Sequence, residues 1–405
     1  MLPHRVPAQP EGLGEPFAGD VAAAGGTQLG SHAGEGCIGG KEHRPDGSAP
    51  AGRVSTLPQK VVTDAPAGRE YTRSAVASER YERVMAALRG EPVDRVPVSA
   101  WWHDFGREWS AAELAEVTLA AQRTYGWDFI KLNPRATYYA EAWGARFRPL
   151  PGRQPELVEP AWREPADLAR FAPLDPAAAP PFAEQLEALA RVTGAVQGEV
   201  PVVQTVFCPL AVLSRAAGGT EPVRRAMAEA PAELEAALAA VAETLARYVR
   251  ACLERGAAGI FFATVEWGTS DTIDADEHRR FGRPFDLRVL EAAAGAPFTI
   301  VHVCRERNLL FELLDYPAAA FHWASRSAGN PSLSEVQART GAAVMGGVDH
   351  RRTMPEGTPE AVAAEAREAI EATGGWRFLL APECTVPPTT PPANLHALRA
   401  AAEQG

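Results

Sequence analysis

Eight short runs rich in β-branched and aromatic residues, nearly all followed by a segment of helical periodicity, predict an α/β protein folded as a (β/α)8, or TIM, barrel. A doubly wound open sheet is the competing architecture. The count of eight and the absence of a glycine-rich nucleotide loop after the first run weigh against it.

The elements follow in order. Residues 1–73 include GDVAAAGGTQLGSHAGEGCIGG and RPDGSAPAG, rich in Gly, Ala, Pro and Ser and without an apolar period. Such a segment cannot bury enough surface to offset its ordering entropy. It reads as a disordered extension, or as an upstream stretch outside the working protein, with the barrel over 74–405; Cys37 within it reads as inert. Order is expected from near Ser78, where ERYERVMAALRG is a helix ended by Gly90. RVPVSAWW (95–102) is the first strand, and a helix opened by Ser110, with Glu113 in capping-box position, follows it. WDFIKLN (127–133) is the second strand, and the Pro- and aromatic-rich stretch after it is expected to hold a hairpin insertion. A helix over 182–194 leads to VPVVQTVF (200–207), then Ala-rich helices run to Arg255. GIFFAT (259–264) precedes a helical segment, ADEHRRFGRPFDLRVLEAA, expected to break at Pro284. FTIVHVC (298–304) is followed by a helix over NLLFELLDY, then AAAFHW (318–323) and AAVMGGV (342–348). The helix PEAVAAEAREAIEATGG, the strand RFLLAP (377–382) and the helix PPANLHALRAAAEQ complete the alternation.

Composition narrows the function. The 46% apolar content is ample for a core, while a net charge of −11 and no Lys/Arg block argue against nucleic acid. No apolar stretch approaches the roughly 20 residues that span a bilayer, and the start lacks a secretory h-region. The cysteines at 37, 208, 252, 304 and 384 are few and scattered, which fits a reducing cytoplasmic setting. A homodimer is the expectation from frequency alone.

In a barrel the chemistry lies at the C-terminal strand ends. Trp101, Trp102, His103, Lys131, Asn133, Phe207, Glu266, His302, Cys304, His322, Trp323, Asp349, His350, Glu383 and Cys384 collect there. His302 and Cys304 are two apart on one strand, so they share a face, and Cys384 follows the eighth strand in APECTVPPTTPPANL. One imidazole and two thiolates form a soft donor set that favours zinc and leaves a fourth position open. Two thiolates cancel the charge of the ion. The set therefore suits holding a substrate thiol as a nucleophile better than activating water. Cys208, beside Pro209, and Cys252, inside a helix, read as core residues. His322 and Trp323 either line a pocket or cap the core, and the tryptophan pair either packs or meets an apolar planar ligand.

From about residue 78 onward the chain resembles the uroporphyrinogen decarboxylase superfamily of (β/α)8 barrels. The resemblance is carried by ERVMAALRGEPVDRVPV, VFCPLAVL, GTSDTIDADEHRRFGRPFDLRVL, HVC, GGVDH and APECTVPPTTPPANL, in that order along the chain. One branch decarboxylates uroporphyrinogen without a cofactor. Another holds cobalamin-dependent and thiol methyltransferases and epoxyalkane transferases with zinc on His-x-Cys and a distant Cys. The resemblance places those ligands on His302, Cys304 and Cys384.

The decarboxylase pattern is incomplete here. Where that branch has Arg-Gln-Ala-Gly-Arg, the chain has HDFGR, keeping Arg107 but placing His103 at the first arginine. Where it has a catalytic aspartate after the second strand, the chain reads IKLNPR, with Asn133 and no carboxylate. In many relatives Gly follows the second ligand; here it is Arg305. The resemblance thus implies a zinc-dependent methyl or alkyl transferase that moves a group from methylcobalamin, or another corrinoid, to a small-molecule thiol. The chain has no obvious corrinoid domain, so the corrinoid would arrive free or on a partner protein. Glu266 or Asp349 would complete the coordination or accept the thiol proton. Lys131, Arg107 and Arg305 would hold an anionic tail. Tetrapyrrole decarboxylation and a non-catalytic corrinoid- or tetrapyrrole-binding barrel are the alternatives.

Overall fold

The computed structural model describes residues 79–403; the extension expected over 1–73 lies outside them. The strands among the described residues are β1 (Ile130–Leu132), the hairpin β2 (Arg146–Leu150) and β3 (Arg153–Glu159), β4 (Val202–Phe207), β5 (Gly259–Ala263), β6 (Ile300–Val303), β7 (Ala320–Trp323), β8 (Ala343–Val348) and β9 (Phe378–Pro382). Seven of them form one curled parallel sheet in the order β1-β4-β5-β6-β7-β8-β9, while β2 and β3 pair only with each other. Every residue of the seven is buried, because helices cover the outer face and side chains fill the inner one. This double covering is why they read as continuous apolar runs rather than as alternating ones.

The first expected strand, 95–102, departs from the prediction. It makes only isolated parallel bridges, Val98 to Leu380 and Trp102 to Val386. Pro97 has no N–H to give a ladder. Its carbonyl accepts from Leu380 N (2.8 Å), and Ser99 N donates to Leu380 O (3.2 Å). On the other side Asp128 N donates to Val98 O (2.9 Å) and Ser99 Oγ to Phe129 O (2.7 Å). The segment is therefore bonded both to β9 and to the residues that lead into β1.

A buried carboxylate fixes this junction. Asp128 accepts Val98 N (2.9 Å), Arg83 Nη1 (2.7 Å), and Arg95 Nη1 and Nη2 (2.6 and 2.9 Å). Arg83 also grips Asp94.

Most helices follow their sequence signals. Ser110 caps Ala111–Tyr125 by accepting Glu113 N (3.2 Å), and Gly126 closes it in the left-handed region. Two helices differ from expectation. The break placed at Pro284 is instead a π-helical turn over His278–Gly282. Pro284 occupies the first turn of Arg283–Glu291, directly after that π-turn. The helix expected over NLLFELLDY is reduced to a 3-10 turn, Leu310–Leu313. Asn308 Oδ1 takes Leu310 N (3.2 Å) in a local turn, and Pro317 keeps Tyr316 from continuing a helix. No helix among the described residues is long and apolar enough to cross a membrane.

Register decides which side chains share the inner face of the curled sheet. Ala263, His302, His322 and Met345 are neighbours across β5, β6, β7 and β8, so their side chains share one face. Phe261, two positions before Ala263, points the same way. Trp323, in register with Val303, points the other way, into the layer between sheet and helices.

Candidate metal centre

His302 is the penultimate residue of β6, and beyond Val303 the chain turns out at Cys304 and Arg305. β9 runs into Glu383 and Cys384. The imidazole and both thiols meet: their donor atoms all lie within 4.8 Å of one another. Cys304 Sγ is 2.8 Å and Cys384 Sγ 3.5 Å from His302 Nε2. His302 Nδ1–H donates to the His322 carbonyl (3.1 Å), which leaves the Nε2 lone pair facing the sulfurs. The hydrogen bond from Cys304 to Cys384 and the nearby His302 and His350 hold the Cys384 thiol well below its ordinary range. The same bond, with burial, pushes Cys304 up.

An aromatic floor supports these donors. The His322 ring stacks on His302 (4.5 Å), and Phe261 contacts both, at 5.6 and 5.1 Å. Trp101 closes the set against Phe261 and His322, each at 5.4 Å. His322 Nε2–H donates to Pro382 O (2.9 Å), two residues before Cys384, so one ring braces both ligand-bearing strands. Burial holds His322 well below the usual imidazole range, so it is neutral.

Lys131 enters from β1. Its Nζ lies over Phe261 (4.7 Å) and Trp101 (5.2 Å) and donates to Asn133 Oδ1. Asn133 Nδ2 in turn donates to Trp102 O (3.1 Å). Burial pulls the ammonium down to about 7, against the opposing pull of Cys384, Cys304 and Glu108. Lys131, Asn133, Trp101, Trp102 and Glu108 line a cavity of about 60 Å³, space for a few water-sized groups.

The other expected site residues divide. Glu266 is half-buried in the turn Val265–Gly268 after β5 and acts on Cys304 through its charge. His103 donates to the buried Glu108 (2.9 Å) and stacks on Phe105. Phe207 packs on Tyr139, with ring centres 4.4 Å apart.

Three residues are directed elsewhere. Arg107 pairs with Glu116 on the neighbouring helix (2.6 Å). Asp349 caps its own turn through Arg351 N (2.7 Å) and Arg352 N (3.1 Å). Trp323 is fully buried and donates to Pro331 O (2.8 Å). Arg107 and Asp349 are thus satisfied by local partners, and strand parity turns Trp323 away from the interior.

Phe261 was not legible as a site residue, because GIFFAT is apolar throughout; only its register with the His302 strand marks it. Glu383 is buried and fastens the turn after β7 by accepting Ser325 Oγ (2.6 Å) and Arg326 N (2.7 Å). Burial pushes its carboxyl up to about 7. His350 is also buried beside the site, and its Nδ1 has no hydrogen-bond partner among the described residues.

Arg305 is exposed and its backbone lies in the left-handed region, with φ 76°. This conformation costs a non-glycine residue about 1–2 kcal/mol. Glycine there would forfeit about 0.4–1 kcal/mol through a freer unfolded chain. Arg305→Gly is therefore expected to stabilise the protein by a few tenths to about 1 kcal/mol, read as a higher urea midpoint at unchanged m-value. A lower midpoint would mean that the guanidinium contributes more than the backbone loses.

Comparison with known proteins agrees with this architecture. The chain is 25% identical over 338 residues to a methylcobamide:CoM methyltransferase MtaA of Methanosarcina barkeri, covering 80% of this chain and 97% of the relative. It is 24% identical over 345 residues to a uroporphyrinogen decarboxylase of a Synechococcus strain, covering 78% of this chain and 95% of that one. Among solved structures, a methyltransferase from Methanosarcina mazei superposes with a TM-score of 0.67 at 25% identity, over 80% of this chain and 98% of its own. The family model for uroporphyrinogen decarboxylase (URO-D) matches residues 105–405, most of the chain, and the protein belongs to that family.

Proposed function

We propose that this protein is a zinc-dependent methyltransferase that moves a methyl group from a corrinoid to a small-molecule thiol. The observation that carries the reading is the convergence of His302 Nε2, Cys304 Sγ and Cys384 Sγ within 4.8 Å, with the other imidazole nitrogen already bonded to a carbonyl. That donor set and tautomer suit a catalytic zinc, in which three protein ligands leave the fourth position for substrate. Zinc held there supplies a Lewis acid that keeps a bound thiol in its nucleophilic thiolate form.

The chain's own residues do the rest. His322 and Phe261 orient His302 and exclude water from below. Glu266, which has no hydrogen-bond partner among the described residues and whose charge reaches Cys304, would be the carboxylate to approach the open position. Arg305 supplies positive charge from the exposed side, and Lys131 presents a buried amine from the other. The relatives named for methylcobamide and CoM support a corrinoid donor and a thiol acceptor. The departures from the decarboxylase pattern point the same way, since Arg107 is occupied by Glu116 and Asn133 by Lys131 and Trp102. The corrinoid would come free or on a separate protein, in the cytoplasm, and the sheet would close into the (β/α)8 barrel through the bonds of segment 95–102 to both edges.

The test is metal content and turnover on the purified chain. About one zinc per chain is expected, with demethylation of methylcobalamin that depends on an added thiol. Metal-free protein, or demethylation indifferent to thiol, would overturn the reading.

A further inference from the structure

We propose that the Lys131 amine takes the proton that a thiol gives up on binding beside His302, Cys304 and Cys384, and that the ammonium so formed balances the charge of the thiolate. The inference rests on the transferase reading above and adds the destination of the proton.

The surroundings of Lys131 are unusual for a lysine. The side chain is buried, 6% exposed, and forms no ion pair with a carboxylate among the described residues. Its neighbours are two aromatic faces, one carboxamide oxygen and, through space, the thiols of Cys304 and Cys384 and the carboxylate of Glu108. Glu108 is itself bonded to His103. Aromatic faces attract a cation but replace only part of its lost hydration. A buried ammonium without a net anion beside it is costly, and the amine is the cheaper form. Burial pulls Lys131 to about 7, in the same direction.

Charge counting sets the order of events. Two thiolates and a divalent ion sum to zero, so before substrate arrives no net anion holds a proton on the amine. Binding a thiol R–SH breaks its S–H bond and leaves the electron pair on sulfur. The proton goes to the lysine lone pair, so that R–SH and Lys–NH2 become R–S⁻ and Lys–NH3⁺ with charge conserved. Alkylation forms the C–S bond as the donor's bond to the alkyl group breaks and its electron pair stays on the donor; the sulfur becomes a neutral thioether, and the ammonium, having lost its anion, gives the proton to water. The other candidates for this role are worse placed. Asp349 is occupied by its own turn, Glu108 by His103, and Arg305 is exposed and already cationic, while Glu266, on taking the proton, would become neutral and leave the thiolate without a counter-charge.

Calorimetric titration of the zinc-loaded full chain with 2-mercaptoethanesulfonate, in two buffers of different ionisation enthalpy at about pH 7.5, counts protons released per thiol bound. Wild type is expected to release well under one proton, because Lys131 retains it. Lys131→Met is expected to release about one and to bind about ten- to a hundredfold more weakly. Lys131→Arg is also expected to release about one, since a guanidinium is already charged. Equal release of about one proton by wild type and Lys131→Met, with thiol bound in both, overturns the inference and leaves the transferase reading standing. Zinc-loaded wild type that binds no thiol overturns both.

Discussion

Cys384→Ala is expected to lose its metal: zinc should fall from about one per chain to a small fraction, and thiol-dependent demethylation of methylcobalamin should fall with it. The magnitude follows from dividing the ~10–16 kcal/mol of a structural-type zinc site among its ligands. Losing one of three protein ligands then costs about 3–5 kcal/mol, or roughly 10²–10⁴-fold in affinity. The fold should survive, because Cys384 is only partly buried and lies in the loop that follows β9. Cys208→Ala is the control. That thiol is wholly buried, pushed far up by its surroundings and bonded to Thr264 O (3.4 Å), so the metal content should not change. Full zinc occupancy in Cys384→Ala, measured by atomic emission on dialysed protein, would remove this cysteine from the site.

Asp128→Asn is expected to produce the largest loss of stability. The carboxylate is wholly buried and is shared by Arg83 and Arg95, whose side chains are 6% and 11% exposed. An amide in its place turns a donor toward the guanidiniums and leaves Arg95 without its counter-charge. Breaking a buried pair from one side costs about 3–5 kcal/mol. The same residue accepts the Val98 N–H, so the loss should also loosen segment 95–98 from the approach to β1. Asp94→Asn provides the contrast. It faces the same Arg83 with its own side chain 65% exposed, and an exposed partner is worth about 1 kcal/mol or less. Urea unfolding of the three proteins separates the two cases. An Asp128→Asn midpoint indistinguishable from that of Asp94→Asn would show that the junction does not depend on the buried charge.

Local chemistry made much of the fold legible. Seven of the expected strands appear as ladder strands because strands buried on both faces must be apolar throughout, and that signal survives in a single sequence. Ser110 and Gly126 mark a helix for equally local reasons, one side chain offering a cap acceptor and one residue tolerating a positive φ. The failures are also physical. RVPVSAWW has strand composition, yet Pro97 removes a ladder donor and leaves isolated bridges. NLLFELLDY has helical composition, yet Asn308 and Pro317 confine it to one turn.

His302, Cys304 and Cys384 were identifiable as candidate donors from residue type, strand parity and the resemblance of their flanking motifs, because a donor atom is written in the sequence. What surrounds them was not. That Arg107 is consumed by Glu116, Asp349 by its own turn, and Trp323 by strand parity depends on which partner lies within about 3 Å. The burial of Lys131 between Phe261 and Trp101 depends on three segments from distant parts of the chain. The sequence by itself determined the parallel α/β architecture and the chemical identity of the three donors. Only the tertiary structure decided how those donors are oriented and what charge lies beside them, because hydrogen-bond partners and desolvation are properties of packed neighbours and not of residue order.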